Sequence, residues 1–200
     1  MFHLTIENHQ NQMKKIAVFA SGSGTNAQKL FEHFENHSQI KVDVLLSNKK
    51  DAYVLERAKK FGIETRVFNR DEFVNSQEIE LFLKQREIDL IVLAGFLWKI
   101  PESLVQAFSN RIINIHPALL PKYGGKGMYG MRVHEAVVEA GESETGITIH
   151  YVNERYDEGK VILQAKCRVL EGDSPEQVAQ KVHELEYEFL AKTTEQLLIH

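Results

Sequence analysis

The chain has 200 residues, 43% of them hydrophobic and 26% charged, a composition ordinary for a globular protein with a full core. A formal charge of −4 lacks the basic footprint of a nucleic-acid binder, and no apolar run approaches the roughly 20 residues that span a bilayer. The single cysteine, Cys167, excludes an internal disulfide and suits a reducing compartment, so a cytoplasmic protein is expected. Its apolar, strand-like surroundings predict a buried structural thiol.

Residues 1–12 are polar, aperiodic and rich in Asn, Gln and His, and read as a flexible N-terminal tail. Met13-Lys14-Lys15 looks like the natural start of one domain, 13–200, undivided by repeats or linkers. Residues 15–20 form a short apolar run, a buried strand, followed by a glycine loop at 21–25. A helix follows at 26–33, with Ala27, Leu30, Phe31 and Phe34 at helical spacing. The pattern continues with a strand at 40–46, a helix at 52–61 closed by Gly62, a strand at 63–68 and a helix at 72–86. Further apolar strands are expected at 88–94 and 111–115. Such alternation predicts a single-domain, Rossmann-like α/β fold, its mainly parallel twisted sheet covered by helices on both faces. After His116 the pattern changes. A glycine-rich loop at 123–130 leads to a helix near 133–140, then two strand-like runs at 145–152 and 160–169. The short loop between these runs predicts an antiparallel hairpin in the C-terminal part. Ser174-Pro175-Glu176-Gln177 opens a closing helix over 174–198.

The most informative stretch is Asn114-Ile115-His116-Pro117. Alternate side chains of a strand share a face, so Asn114 and His116 project side by side, and Pro117 cannot extend the sheet ladder. An amide donor and an imidazole then stand together at the carboxyl end of a strand, where open α/β sheets hold ligands. Such a pair can stabilise an oxyanion, and the histidine can move a proton near neutral pH. A lone histidine at a strand end is more often structural; the adjacent same-face Asn lowers that prior. The imidazole needs a carboxylate to orient it. Asp157, in the loop 153–159, is the best candidate, with Glu154 and Glu158 as rivals.

The loop Ser21-Gly22-Ser23-Gly24-Thr25-Asn26-Ala27 contains G-x-G-x-x-A, the formal dinucleotide fingerprint. No acid closes the second strand, which ends Leu46-Ser47-Asn48-Lys49-Lys50, and this argues against NAD. A monophosphate held by backbone N–H groups, hydroxyls and amides fits better. The plainer reading is a tight turn in which Thr25 or Asn26 caps the helix. The other histidines build no metal site. His183-Glu184 lacks a second histidine at helical spacing, and His3, His9, His33, His37, His150 and His200 fall in tails, surface helices or strands. His134 differs in opening a helix beside the glycine-rich loop.

With these residues in view, the chain from Met13 to about Leu198 resembles the phosphoribosylglycinamide formyltransferases, folate-dependent enzymes of purine synthesis. The likeness rests on Ser21-Gly22-Ser23-Gly24-Thr25-Asn26, Leu93-Ala94-Gly95-Phe96, Asn114 through Pro121, Asp157 through Gln164, and Gly172-Asp173-Ser174. It implies formyl transfer from 10-formyltetrahydrofolate to the amine of glycinamide ribonucleotide through a tetrahedral intermediate, with no metal. Carried onto matching positions, Asn114 and His116 stabilise the oxyanion, while Asp157 holds His116 charged and helps relay protons. Gly22, Ser23, Gly24, Thr25 and Asn26 would bind the substrate phosphate, and Glu186 the ribonucleotide. Arg70, Leu93, Phe96, Leu97, Trp98, Lys99, Ile100 and Asn114 match positions lining the folate pocket. Two departures stand out. Leu97-Trp98-Lys99-Ile100 replaces the Met-Arg-Ile-Leu of many relatives, and the loop 124–130 is longer and richer in glycine, with Lys126 as a possible anion contact. The expected partners are small molecules, without nucleic acid or membrane, and the expected state is a monomer or homodimer. Formyltetrahydrofolate deformylase shares the catalytic trio but adds an N-terminal domain, and methionyl-tRNA formyltransferase adds a C-terminal one. A non-catalytic nucleotide-binding module, with His116 structural, is the alternative of another class.

Overall fold

A computed structural model describes residues 12–75 and 77–199. The expected tail falls outside the described residues except for its last position, Gln12. Seven strands, β1 (Lys14–Phe19), β2 (Ile40–Ser47), β3 (Glu64–Val67), β4 (Leu90–Leu93), β5 (Ile112–His116), β6 (Glu144–Tyr151) and β7 (Val161–Arg168), form one sheet in the order β3-β2-β1-β4-β5-β6-β7. The first five are mutually parallel, whereas β6 runs antiparallel to both β5 and β7. The Rossmann-like α/β fold and its C-terminal hairpin are therefore as expected. Chain order reverses between β1 and β4, so the loops after these strands diverge and leave a crevice at their carboxyl ends.

The period-two alternation of each strand feeds two separate cores. On one face Ile16, Val18, Leu45 and Val92 pack under helices α1 (Thr25–Phe34), α2 (Tyr53–Lys60), α6 (Met131–Glu139) and α7 (Pro175–Ile199). On the other, Ala17, Phe19, Val44, Leu46, Ile91 and Leu93 pack under α3 (Arg70–Val74), α4 (Glu78–Gln85) and α5 (Glu102–Ala107). Phe19 anchors the second core, its ring centroid 5.3 Å from Phe96 and 5.9 Å from Phe68. Among the described residues no helix is long and apolar enough to cross a membrane.

Three local expectations need correction. The single helix expected over 72–86 is two. Asn69 caps α3 in a reciprocal capping box with Glu72, so that helix starts earlier, at Arg70. Asn75 then ends it, its N–H returning to the Asp71 carbonyl and its side chain to the Asp71 carboxylate. Helix α5 was not anticipated, being barely two turns that follow Pro101 and bury Leu104 and Val105. Cys167 is half-buried rather than buried, because β7 is an edge strand with alternating exposure, and partial burial pushes its thiol pKa up.

The hairpin depends on close backbone approach at Gly146, where a Cβ would lie 1.9 Å from the Ala165 carbonyl oxygen of β7. A main-chain atom within a ladder cannot step aside. Gly146→Ala is expected to lower stability by about 2 kcal/mol or more, read as a lower urea midpoint; an unchanged midpoint would contradict this packing.

Candidate active site

The loops after β1 and β4 are tied to each other at the crevice. Ser21 N–H donates to the Gly95 carbonyl (3.1 Å), and the Ser21 hydroxyl accepts from Leu97 N–H (3.0 Å). Around this tie opens a cavity of about 640 Å³. Its wall contains residues 22–26, the segment 93–100, Asn114 and His116, the loop 125–130, His134, His150, residues 155–157, His183 and Glu186. The structure thus gathers every expected site residue but one into a single cavity. Arg70 is the exception. It opens α3 outside the lining, with its guanidinium 5.6 Å from the ring centroid of Trp98, which does line the cavity.

Asn114 and His116 lie on the same face of β5, as the strand period requires. Antiparallel pairing places His150 of β6 directly opposite Asn114, and Thr148 opposite His116. The loop between β6 and β7 folds back over this face. It brings Asp157 Oδ2 to 3.6 Å from His116 Nδ1 and Asp157 Oδ1 to 3.7 Å from His150 Nε2. Gly125 N–H donates to Asp157 Oδ2 at 2.9 Å, which joins the glycine-rich loop to the cluster. Of the three acids in this loop, Asp157 is the one that meets the imidazole. Glu158 pairs with Arg155, and neither Glu154 nor Glu158 lines the cavity.

The hydrogen bonds assign proton positions. Carbonyls only accept, so His116 donates through Nε2 to the Tyr123 carbonyl (2.7 Å) and His150 through Nδ1 to the Tyr151 carbonyl (2.9 Å). His150 Nε2 can then accept from Asn114 Nδ2 at 3.2 Å, which leaves the second amide proton of Asn114 for a ligand. Sequence reading assigned His150 no role, and it is nevertheless at the centre of the cluster, only 2% exposed. His183 was also passed over. Its Nδ1 lies 2.7 Å from Oε2 of the buried Glu186, and this bond raises the His183 pKa against the opposing effect of burial.

His116 is 4% exposed, and its burial lowers its pKa below the ordinary histidine value, although Asp157 and the Tyr123 carbonyl pull the other way. Burial disfavours the ionised Asp157, but the nearby His150 and His116 imidazoles and the Gly125 N–H outweigh it and hold that carboxyl below its usual range. His134, buried beside them, is shifted down by burial and by neighbouring His183.

The glycine loop is likewise a built feature. Gly24, at φ 74°, is the N-cap residue of α1, which has no side-chain cap, so the reading in which Thr25 or Asn26 caps the helix does not hold. A Cβ at Gly24 would lie 2.1 Å from Val54 Cγ2 of α2, so only glycine fits. Asn26 Oδ1 and His134 Nδ1 are buried without a hydrogen-bond partner among the described residues, and both residues line the cavity. Each such atom costs about 1–3 kcal/mol while unpaired, a cost that a polar ligand can offset. Among the described residues no group of three or more His, Cys, Asp or Glu side chains could hold a metal ion.

Fold and site define an open α/β protein with a glycine loop and a buried imidazole–carboxylate cluster in one cavity at the ends of its strands. Comparison with known proteins makes the class specific. A family model described as formyl transferase matches residues 14–194, and the chain belongs to this family. It is 44% identical over 182 residues to the chloroplastic phosphoribosylglycinamide formyltransferase of Arabidopsis thaliana, covering 88% of this chain and 62% of that one. It is 36% identical over 191 residues to the Bacillus subtilis phosphoribosylglycinamide formyltransferase, covering 93% of this chain and 95% of that one. The chain thus spans less than two thirds of the plant protein and nearly all of the bacterial one. Among solved structures, phosphoribosylglycinamide formyltransferase from Anaplasma phagocytophilum superposes with a TM-score of 0.85 at 31% identity, covering 94% of this chain and 88% of that one. Glycinamide ribonucleotide transformylase 1 from Geobacillus kaustophilus gives 0.84 at 36% identity, covering 94% and 100%.

In the folded chain His116 binds its proton less readily than in the unfolded chain, so its contribution to stability is present above the unfolded value and is lost as pH falls below it. Asp157 contributes above the unfolded carboxyl value and loses that contribution as pH falls through its lowered folded value. Because the Asp157 carboxylate raises the His116 pKa, Asp157→Asn is expected to lower it further, read from the His116 imidazole signals in an NMR titration. An unchanged or raised value would contradict the contact.

Proposed function

We propose that the chain transfers the formyl group of 10-formyltetrahydrofolate to the amine of glycinamide ribonucleotide, a step of purine synthesis. The observation that carries this reading is one cavity holding both an anion-binding glycine loop and the Asn114–His116–Asp157 cluster. Phosphate sits at residues 22–26, with the first-turn N–H groups and dipole of α1 behind it. Glu186, oriented by His183, holds the ribose hydroxyls. The folate occupies the wall formed by Leu93, Phe96, Leu97, Trp98, Lys99 and Ile100, with Arg70 acting on it through the Trp98 ring. A flat pterin needs such apolar walls and a few backbone partners.

The reaction then follows from proton positions. The amine lone pair forms the new C–N bond, and the carbonyl electrons move to the formyl oxygen. The free N–H of Asn114 meets that oxygen, and His116 Nε2–H exchanges its Tyr123 partner for it as charge develops. Collapse restores the carbonyl and breaks the bond to the folate nitrogen, which keeps the electron pair and takes a proton; the attacking amine loses one. Asp157, low in pKa and in reach of both imidazoles, takes and passes that proton, through water where the span requires it. No step calls for a metal. A reducing, cytoplasmic setting suits the lone Cys167, the −4 charge lacks the basic footprint of a nucleic-acid binder, and the reading holds for a monomer or a homodimer.

A hydrolase acting on the same folate would have no use for the glycine loop and Glu186 in the same cavity. The assay separates the two. Purified protein is expected to convert both substrates to formylated ribonucleotide and tetrahydrofolate in equal amounts, and folate hydrolysis independent of ribonucleotide would overturn the reading. His116→Ala and Asp157→Asn are each expected to lower kcat on the order of a hundredfold to ten-thousandfold with the circular dichroism unchanged.

A further inference from the structure

We propose that Arg57, on α2 and outside the cavity lining, is a positioning residue for the phosphate loop. This rests on the phosphate assignment above and adds the device that shapes it. A trans peptide unit points its C=O and the following N–H in opposite directions. Two consecutive carbonyls of the loop are tied to α2. Gly22 C=O accepts from Val54 N–H at 3.2 Å, and Ser23 C=O accepts from Arg57 Nε at 2.8 Å. The N–H groups of Ser23 and Gly24, on the far sides of those two peptides, are thereby turned away from α2. Residues 22–26 line the cavity, which Arg57 and Val54 of α2 do not. Two successive N–H groups converging beside a left-handed residue, Gly24 at φ 74°, form an anion-binding concavity.

The two ties differ in kind. Val54 is fixed by the backbone of α2, so its N–H is in place whenever the helix is. Its side chain also fills the space that a Cβ on Gly24 would need. The Ser23 tie depends on one side chain. Arg57 holds it with a fork: Nε goes to Ser23 C=O and Nη1 to the Gln28 side-chain oxygen on α1, while the guanidinium lies 5.0 Å from the centroid of the Tyr53 ring. Gln28 in turn donates to Glu32 at 2.7 Å. The planar guanidinium therefore locks the loop, α1 and α2 in one arrangement, which a flexible ammonium cannot reproduce in full. Its positive charge behind the Ser23 peptide also polarises the N–H on the far side toward an anion.

The test separates positioning from general support of the fold. KM is measured for each substrate with wild type, Arg57→Ala and Arg57→Lys, and for glycinamide riboside, which lacks the phosphate. Arg57→Ala is expected to raise KM for the ribonucleotide about tenfold to a hundredfold, the range for loss of one charge-assisted hydrogen bond. KM for the folate and turnover of the riboside should stay within about twofold, and Arg57→Lys should recover part of the loss. Equal losses on ribonucleotide and riboside, or an unchanged ribonucleotide KM, would overturn the proposal. Calorimetric titration with ribose 5-phosphate keeps the inference testable apart from the reaction. Binding to wild type that weakens in Arg57→Lys and more in Arg57→Ala supports it even if formyl transfer fails, and equal binding by all three overturns it.

Discussion

A single carboxylate organises the site. Asp157 lies within 4 Å of two buried imidazoles and accepts a backbone N–H from Gly125. A charge taken out of water must be paired or hydrogen-bonded, so the surrounding chain has to bring these partners to it. Four segments do so: β5 with His116 and Asn114, β6 with His150, the β6–β7 loop with Asp157 itself, and the glycine-rich loop with Gly125. Asp157 adopts a left-handed backbone (φ 54°), uncommon for a residue other than glycine but accessible to Asp. That local strain aims its side chain back over the sheet.

The topology makes this meeting possible. In the doubly wound half, β3-β2-β1-β4-β5, helices cover both faces and the strands feed apolar side chains into two cores. Beyond β5 the sheet turns antiparallel, and the loop after β6 can fold back over the polar face of β5 instead of entering another covering helix. The crevice between the loops after β1 and β4 supplies the other half of the site. The glycine loop and the imidazole–carboxylate cluster thus line one cavity.

Local order was legible and nonlocal order was not. Five parallel strands, the hairpin and the closing helix follow from apolar runs, turn residues and caps within a few positions. The same-face placement of Asn114 and His116 follows from a period of two. Cross-strand register is different: nothing near His150 in the chain says that it will face Asn114, thirty-six positions away. Asp157 could be preferred to Glu154 and Glu158 but not separated from them, because loop conformation decides which of the three turns inward. The break at Asn75 went unseen because apolar residues at helical spacing continue on both sides of it. The balance of effects on His116 is nonlocal in the same way. Proximity to an acid is visible as a pattern, whereas the desolvation that outweighs it depends on the packed structure.

The central claim is that Asn114, His116 and Asp157 act as one unit in formyl transfer. A double-mutant cycle on kcat for His116→Ala and Asp157→Asn tests it most directly. If the carboxylate works through the imidazole, the double variant loses about as much as the more damaged single variant. Losses that multiply would mean that the two side chains contribute independently, and the account of a shared cluster would fail.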